Sequence, residues 1–183
     1  RLAEESWIDG CLSEGAAAKR AARAARIARD PVARDAKVEI AADEAIKRFS
    51  FIDGSRQAAG GASYGGHLSN WLAVTTDRYK ALVSHAGVYS LLGQFGSDLA
   101  YGRQHSYGGF PFTNPSAVER WSPNRYAAQL KTPMLVVHGE KDFRVPITQG
   151  LELYGVLTAK GVPARIVAYH DENHWVLKGN DAK

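Results

Sequence analysis

From about residue 38 the hydrophobic positions follow two alternating periods. In "EIAADEAIKRFSFI" the residues Ile40, Ala41, Ala45, Phe49 and Ile52 fall near one helical face, and Asp53-Gly54 punctuates the segment. "RQAAGGAS" reads as a short strand running into a glycine turn. "GGHLSNWLAVTTDRY" reads as a helix with Leu68, Trp71 and Leu72 at helical spacing, and "KALVSHAG" as a buried strand. Residues 89–125 predict a short helix and then a long irregular excursion. "YAAQL" is a short helix, and "PMLVVHG" a second buried strand of the continuous apolar type. "PITQGLELYGVLTAKG" is an amphipathic helix with Gly161 at its C-cap, and "ARIVAYH" a third strand. Strands alternating with helices predict an α/β fold with a mostly parallel sheet and flanking helices.

The first 40 residues differ. Residues 15–29, "GAAAKRAARAARIAR", hold five basic residues and one large apolar residue, Ile27. Ala and Arg favour helix, but there is no apolar stripe to bury. The run predicts a solvated helix or a disordered arm, ended by Pro31. Residues 1–40 therefore form an atypical segment, and residues 41–183 the packed unit.

Composition narrows the class. The 183 residues fit a single domain, and 45% hydrophobic with 23% charged residues fit a chain that buries a core. The net charge of +4 is spread thinly: residues 1–40 hold eight Lys/Arg against seven Asp/Glu, and residues 41–183 fifteen against twelve. That distribution argues against a nucleic-acid partner. The absence of any apolar run of about 18 residues argues against a membrane-spanning helix. Cys11 is the single cysteine, which excludes an internal disulfide and a Cys-based zinc site. The chain opens on Arg with no signal peptide, and reads as a piece of something longer.

The candidate chemistry starts at "GGASYGG", residues 60–66. Gly61-Ala62-Ser63-Tyr64-Gly65 matches G-x-S-x-G between a predicted strand and a predicted helix. In such an elbow a nucleophilic serine occupies a strained turn, and flanking glycines avoid clashes. Acid and base should follow in the order Ser, Asp, His, each past a later strand. Asp142 follows "PMLVVHG", and His174 follows "ARIVAYH". In a parallel sheet all three loops lie at the carboxyl edge, where ligands bind. A serine hydroxyl needs a histidine to take its proton, and the histidine needs a carboxylate to fix its tautomer.

Other residues compete for these roles. Glu140 and Asp171 are rival acids, and Asp142 alone also fits a loop-capping residue. His85, His138 and His170 sit in or at the ends of strands and read as packed, hydrogen-bonded histidines. "HDENH" at 170–174 invites a zinc reading, but lacks the Glu directly after the first His and lies at a strand end; no metal is expected. Trp71, Trp121 and Trp175 read as core or pocket-wall residues.

"GGASYGGHLSNWLAV", "SPNRYAAQLKTPMLVVHGEKDFRVP" and "DENHWVL" resemble the catalytic domain of the prolyl oligopeptidase family of serine peptidases, over about residues 41–178. The likeness is closest to bacterial dipeptidyl-peptidase and acylaminoacyl-peptidase types. It implies an α/β-hydrolase fold, hydrolysis of short peptides without metal or organic cofactor, Ser63 as nucleophile, Asp142 as orienting acid and His174 as general base. It also implies that the Tyr64 backbone N–H is an oxyanion-hole donor, that Arg144 faces a substrate carbonyl, and that residues 88–113 line the pocket before the cleaved bond.

The family places several strands before the elbow strand, one of whose loops supplies a second oxyanion donor. It also carries a β-propeller and continues into a closing helix. The sequence thus predicts a partial α/β-hydrolase fold with N-terminal strands missing. Two alternatives stand beside the peptidase: an esterase of the same architecture, and a truncated remnant acting as an interaction fragment.

Overall fold

The computed structural model describes residues 32–98, 109–179 and 181. The expectations for residues 1–31, the Ala/Arg run and Cys11 among them, lie outside the described residues, as does the 99–108 part of the expected pocket segment.

The order of the described elements is α1 (Val32–Arg48), β1 (Ala58–Ala62), α2 (Tyr64–Thr75), β2 (Ala81–His85), a 3₁₀ turn (Gly93–Gly96), α3 (Pro115–Glu119), a 3₁₀ segment (Pro123–Gln129), β3 (Met134–Gly139), α4 (Thr148–Ala159) and β4 (Ala164–Tyr169). The strands form one sheet in the order β1-β2-β3-β4, every pair parallel. All four strands therefore end on the same edge, and the loops that follow them converge there.

Register decides which side chains meet the helices. Leu82 stands beside Met134, and Ser84 beside Val136, so these residues share one face. Leu82, Met134 and Val136 pack with Trp71, Leu72 and Val74 of α2 and Leu153 and Leu157 of α4 in a single core. Leu82 is 1% exposed and Val136 0%, whereas Val83 on the opposite face is 37% exposed. The continuous apolar runs predict strands covered on both faces. Among the described residues helices cover one face only, and burial along β2 and β3 alternates accordingly.

The first helix corrects the sequence pattern. It ends at Arg48, so Phe49 and Ile52 lie in the turn beyond it. Ile40 is 60% exposed, and Ala41 and Phe49 are exposed too. The helix docks through another face: Asp43 pairs with Arg78 at 2.7 Å, the Arg78 guanidinium donates to the Glu39 carbonyl, and Ile46 lies against Gly54. Residues 39, 43 and 46 share a face by the i, i+4, i+7 rule, and a partly buried arginine anchors it instead of an apolar stripe. The first four residues of the predicted "YAAQL" helix lie in the 3₁₀ segment, which is broken at Tyr126, and Leu130 caps it. Gly161 has φ +69°, the left-handed conformation expected just past α4.

Candidate active site

Ser63 links β1 to α2 with φ 57° and ψ −113°, a positive φ that non-glycine residues rarely adopt. Such strain costs about 1–3 kcal/mol and persists where surrounding contacts impose it. The contacts here are the Ser63 N–H donating to the His85 carbonyl (2.9 Å) and the His67 N–H donating to the Ser63 carbonyl (2.9 Å).

The glycine requirement lies partly elsewhere than G-x-S-x-G suggests. A Cβ on Gly61 would stand 2.5 Å from the Gly65 carbonyl carbon, and one on Gly66 2.6 Å from the His85 carbonyl oxygen. A Cβ on Gly65 meets nothing within 4 Å. Gly61 and Gly66 are thus the pair that lets α2 start this close to β1 and β2.

The three residues expected at the carboxyl edge meet. The Ser63 hydroxyl lies 2.8 Å from His174 Nε2, and His174 Nδ1 lies 2.7 Å from Asp142 Oδ2. With Nδ1 protonated and donating to the carboxylate, Nε2 is the acceptor for the serine O–H. The Asp142 carboxylate is fully buried, and the His174 ring largely so. Asp142 Oδ1 accepts two backbone N–H bonds, from Arg144 (2.9 Å) and Val145 (2.8 Å). One carboxylate oxygen is therefore filled by the turn and the other faces the imidazole.

The rival acids point elsewhere. Glu140 Oε2 accepts from His170 Nδ1 at 2.5 Å on the surface. Asp171 pairs with Lys141, and with Lys178 at 3.3 Å; hydrogen bonds from the two lysines lower its pKa from 3.8 to about 2. The two histidines of "HDENH" consequently face different partners. Among the described residues no group of three His, Cys, Asp or Glu side chains is gathered as a metal site.

His85 and His138 are packed beneath the site. Burial pushes both pKa values below the ordinary histidine range. Trp71 lies in the core beside Trp121, whereas Trp175 is half exposed, its indole edge-on to the His174 ring at 5.0 Å. Tyr64 opens α2, so its backbone N–H belongs to the helix's first turn. The Arg144 guanidinium forms an ion pair with Asp98 at 2.8 Å.

Several structural residues were missed by the sequence reading. A Cβ on Gly139 would stand 2.2 Å from the Asn173 carbonyl oxygen, so this glycine lets the loop carrying His174 cross the end of β3. The Lys141 N–H donates to the Glu172 carbonyl at the same crossing (2.9 Å). Buried Gln149 on α4 accepts from the Tyr89 and Ser90 N–H groups, fixing the segment after β2. Gln94 donates from Nε2 to the Arg144 carbonyl (2.5 Å), and the Asp98 N–H donates to the Phe143 carbonyl (2.9 Å). The one available signal for these glutamines was an uncharged polar residue within an apolar neighbourhood.

A parallel sheet with flanking helices and a strained serine turn at its carboxyl edge defines the α/β-hydrolase fold class. The family model described as "Prolyl oligopeptidase family" matches residues 36–183, and the chain belongs to that family. It is 35% identical over 148 residues to dipeptidyl-peptidase 5 of Schizosaccharomyces pombe, covering 79% of this chain and 22% of that protein. Among solved structures it is similar to Pyrococcus horikoshii acylaminoacyl peptidase, at TM-score 0.68 and 28% identity, covering 72% of this chain and 22% of that one. An acylaminoacyl peptidase in complex with Z-Gly-Gly-Phe-chloromethyl ketone matches at TM-score 0.69 and 30% identity, with the same 72% and 22% coverage. The chain thus spans about a fifth of the length of these relatives.

Proposed function

We propose that this chain carries the catalytic centre of a serine-type peptidase acting on short peptides, with Ser63 as nucleophile, His174 as general base and Asp142 as orienting acid. The observation that carries the reading is the continuous hydrogen-bonded path from Ser63 Oγ through the His174 ring to the buried Asp142 carboxylate. Family membership supports it, as does a relative's complex with a short blocked peptide ketone.

In this mechanism Ser63 Oγ attacks the scissile carbonyl carbon while its proton passes to His174 Nε2. Asp142 holds the resulting imidazolium by the Nδ1–H bond. Collapse of the tetrahedral intermediate breaks the C–N bond, and the Nε2 proton goes to the departing amine. Water, deprotonated by His174, then attacks the acyl-enzyme; the acid leaves and Ser63 regains its proton. The Tyr64 N–H, at the amino end of α2, faces the developing oxyanion, where helix N-termini favour negative charge. Residues 41–183 are the catalytic unit, and no step calls on a metal or organic cofactor.

A fluorophosphonate probe tests this directly. Stoichiometric labelling that Ser63→Ala abolishes is expected, together with turnover of peptide anilides as well as of matched esters. Labelling that survives Ser63→Ala would move the nucleophile elsewhere, and turnover confined to esters would replace the peptidase by an esterase.

A further inference from the structure

We infer that His138 is a positioning residue for the acid: by holding the Val145 carbonyl, its ring anchors the end of the 142–145 turn so that one oxygen of Asp142 is reserved for His174. This rests on the roles proposed above for Ser63, Asp142 and His174.

His138 lies near the end of β3 and is 0% exposed. Its Nε2 stands 2.7 Å from the Val145 carbonyl oxygen, a group that only accepts. Nε2 therefore carries the proton, and Nδ1 is the bare nitrogen. Nδ1 has no hydrogen-bond partner among the described residues. Gly150 of α4 closes over it: a Cβ there would lie 2.7 Å from Nδ1, so the ring is packed on that side by backbone. The titratable groups facing the ring are Asp142, His85 and His174, and the Asp142 Oδ2 lies 3.6 Å from Nε2. Burial outweighs the pull of that carboxylate and holds the ring neutral.

Val145 is consequently held through both of its flanking peptide units. Its carbonyl accepts from His138, and its N–H donates to Asp142 Oδ1. Gln94 grips the preceding carbonyl, that of Arg144. With Oδ1 occupied by the Arg144 and Val145 N–H groups, Oδ2 is left for His174 Nδ1. Without the His138 donor the Val145–Pro146 unit loses its anchor, Val145 shifts at the end of the turn, and the hold of its N–H on Oδ1 loosens, so that the carboxylate is no longer aimed at the imidazole. Among the described residues the His138 ring hydrogen-bonds to Val145 and to neither Ser63 nor His174, so it works through the turn and not on the reacting atoms.

The test uses the full chain with His138→Phe, which keeps ring volume without a donor, and His138→Gln, whose amide reaches the Nε2 position. The direct readout is the downfield proton NMR signal of the His174 Nδ1–H bonded to Asp142. The second readout is Ser63 acylation by a fluorophosphonate, separated into probe affinity and acylation rate. His138→Phe should lose the downfield signal and acylate about ten- to a hundredfold more slowly at unchanged probe affinity, the order that a small misplacement of catalytic groups costs. His138→Gln should keep the signal and a rate near that of the parent. Retention of both by His138→Phe overturns the role.

If His138→Phe does not fold, the ring nitrogen shifts of the parent chain decide. A neutral ring protonated at Nε2 upholds the role, and one protonated at Nδ1 overturns it. Failure of the parent to label at Ser63 counts against the peptidase reading alone, because survival or loss of the His174 signal in His138→Phe still settles what His138 does.

Discussion

Ser63 and His174 are 111 residues apart in sequence, and their Oγ and Nε2 atoms are 2.8 Å apart in space. Parallel strand order brings them together: β1 and β4 are the outer strands of one sheet, and both loops leave at the same edge. The strained turn on one side and the loop passing over Gly139 on the other close the remaining gap.

The three candidate acids should separate cleanly. Asp142→Asn should lower turnover by roughly ten-thousandfold, because an amide presents the wrong partner to His174 Nδ1. Glu140→Gln and Asp171→Asn should stay within a few-fold, since their carboxylates face His170 and the two lysines. Steady-state kinetics on one peptide anilide check this, and a crippled Glu140→Gln enzyme would refute the assignment. Asp171 has a lowered folded pKa, so its stabilising contribution is present above pH 3.8 and is lost as pH falls toward about 2. Asp171→Asn should therefore flatten the acid limb of the stability profile in that window.

The glycines of the elbow should differ in their tolerance of alanine. Gly61→Ala and Gly66→Ala place a methyl group against backbone and should each cost about 1–3 kcal/mol or more. Gly65→Ala meets open space within the first turn of α2 and should be neutral or stabilising by up to about 1 kcal/mol. Thermal melts of the three variants order them; equal losses at Gly65 and Gly66 would contradict the packing described.

Arg144 should act in binding and not in the chemical step. Its guanidinium is aimed by Asp98 and half exposed at the rim of the site. Arg144→Ala should raise KM by about tenfold with kcat within a few-fold, as expected for loss of one charged hydrogen bond made equally in ground and transition states. Asp98→Asn should produce part of that effect. A fall in kcat at constant KM would reassign Arg144 to the transition state.

The outer edge of β1 should make this chain self-associate. Among the described residues β1 pairs with β2 alone, and Ala58 and Gly60 are exposed. An unpaired edge offers a row of N–H and C=O groups to another chain, and a lysine on it is the usual deterrent. Sedimentation velocity across a concentration series should show association of the 183-residue chain that Ala58→Lys reduces. A strictly monomeric parent chain would dispose of the idea.

The linear sequence determined the alternation of strand and helix, the glycine-rich turn around Ser63, and the order Ser63, Asp142, His174. Each of these depends on local periodicity or on short-range sterics. The local pattern alone left Glu140 and Asp171 as rivals to Asp142, because the three lie in two adjoining loops and all suit a turn; the family resemblance singled out Asp142. Tertiary structure decided it: two backbone N–H groups fill one oxygen of Asp142 and aim the other, whereas His170 and the lysines on the surface take the rivals. Tertiary structure likewise decided that α1 docks through Arg78 and not through Phe49, and that His138, Gln94 and Gln149 are structural partners of the site. None of this shows in a hydrophobic pattern, because a buried polar side chain is placed by the single distant backbone group that satisfies it.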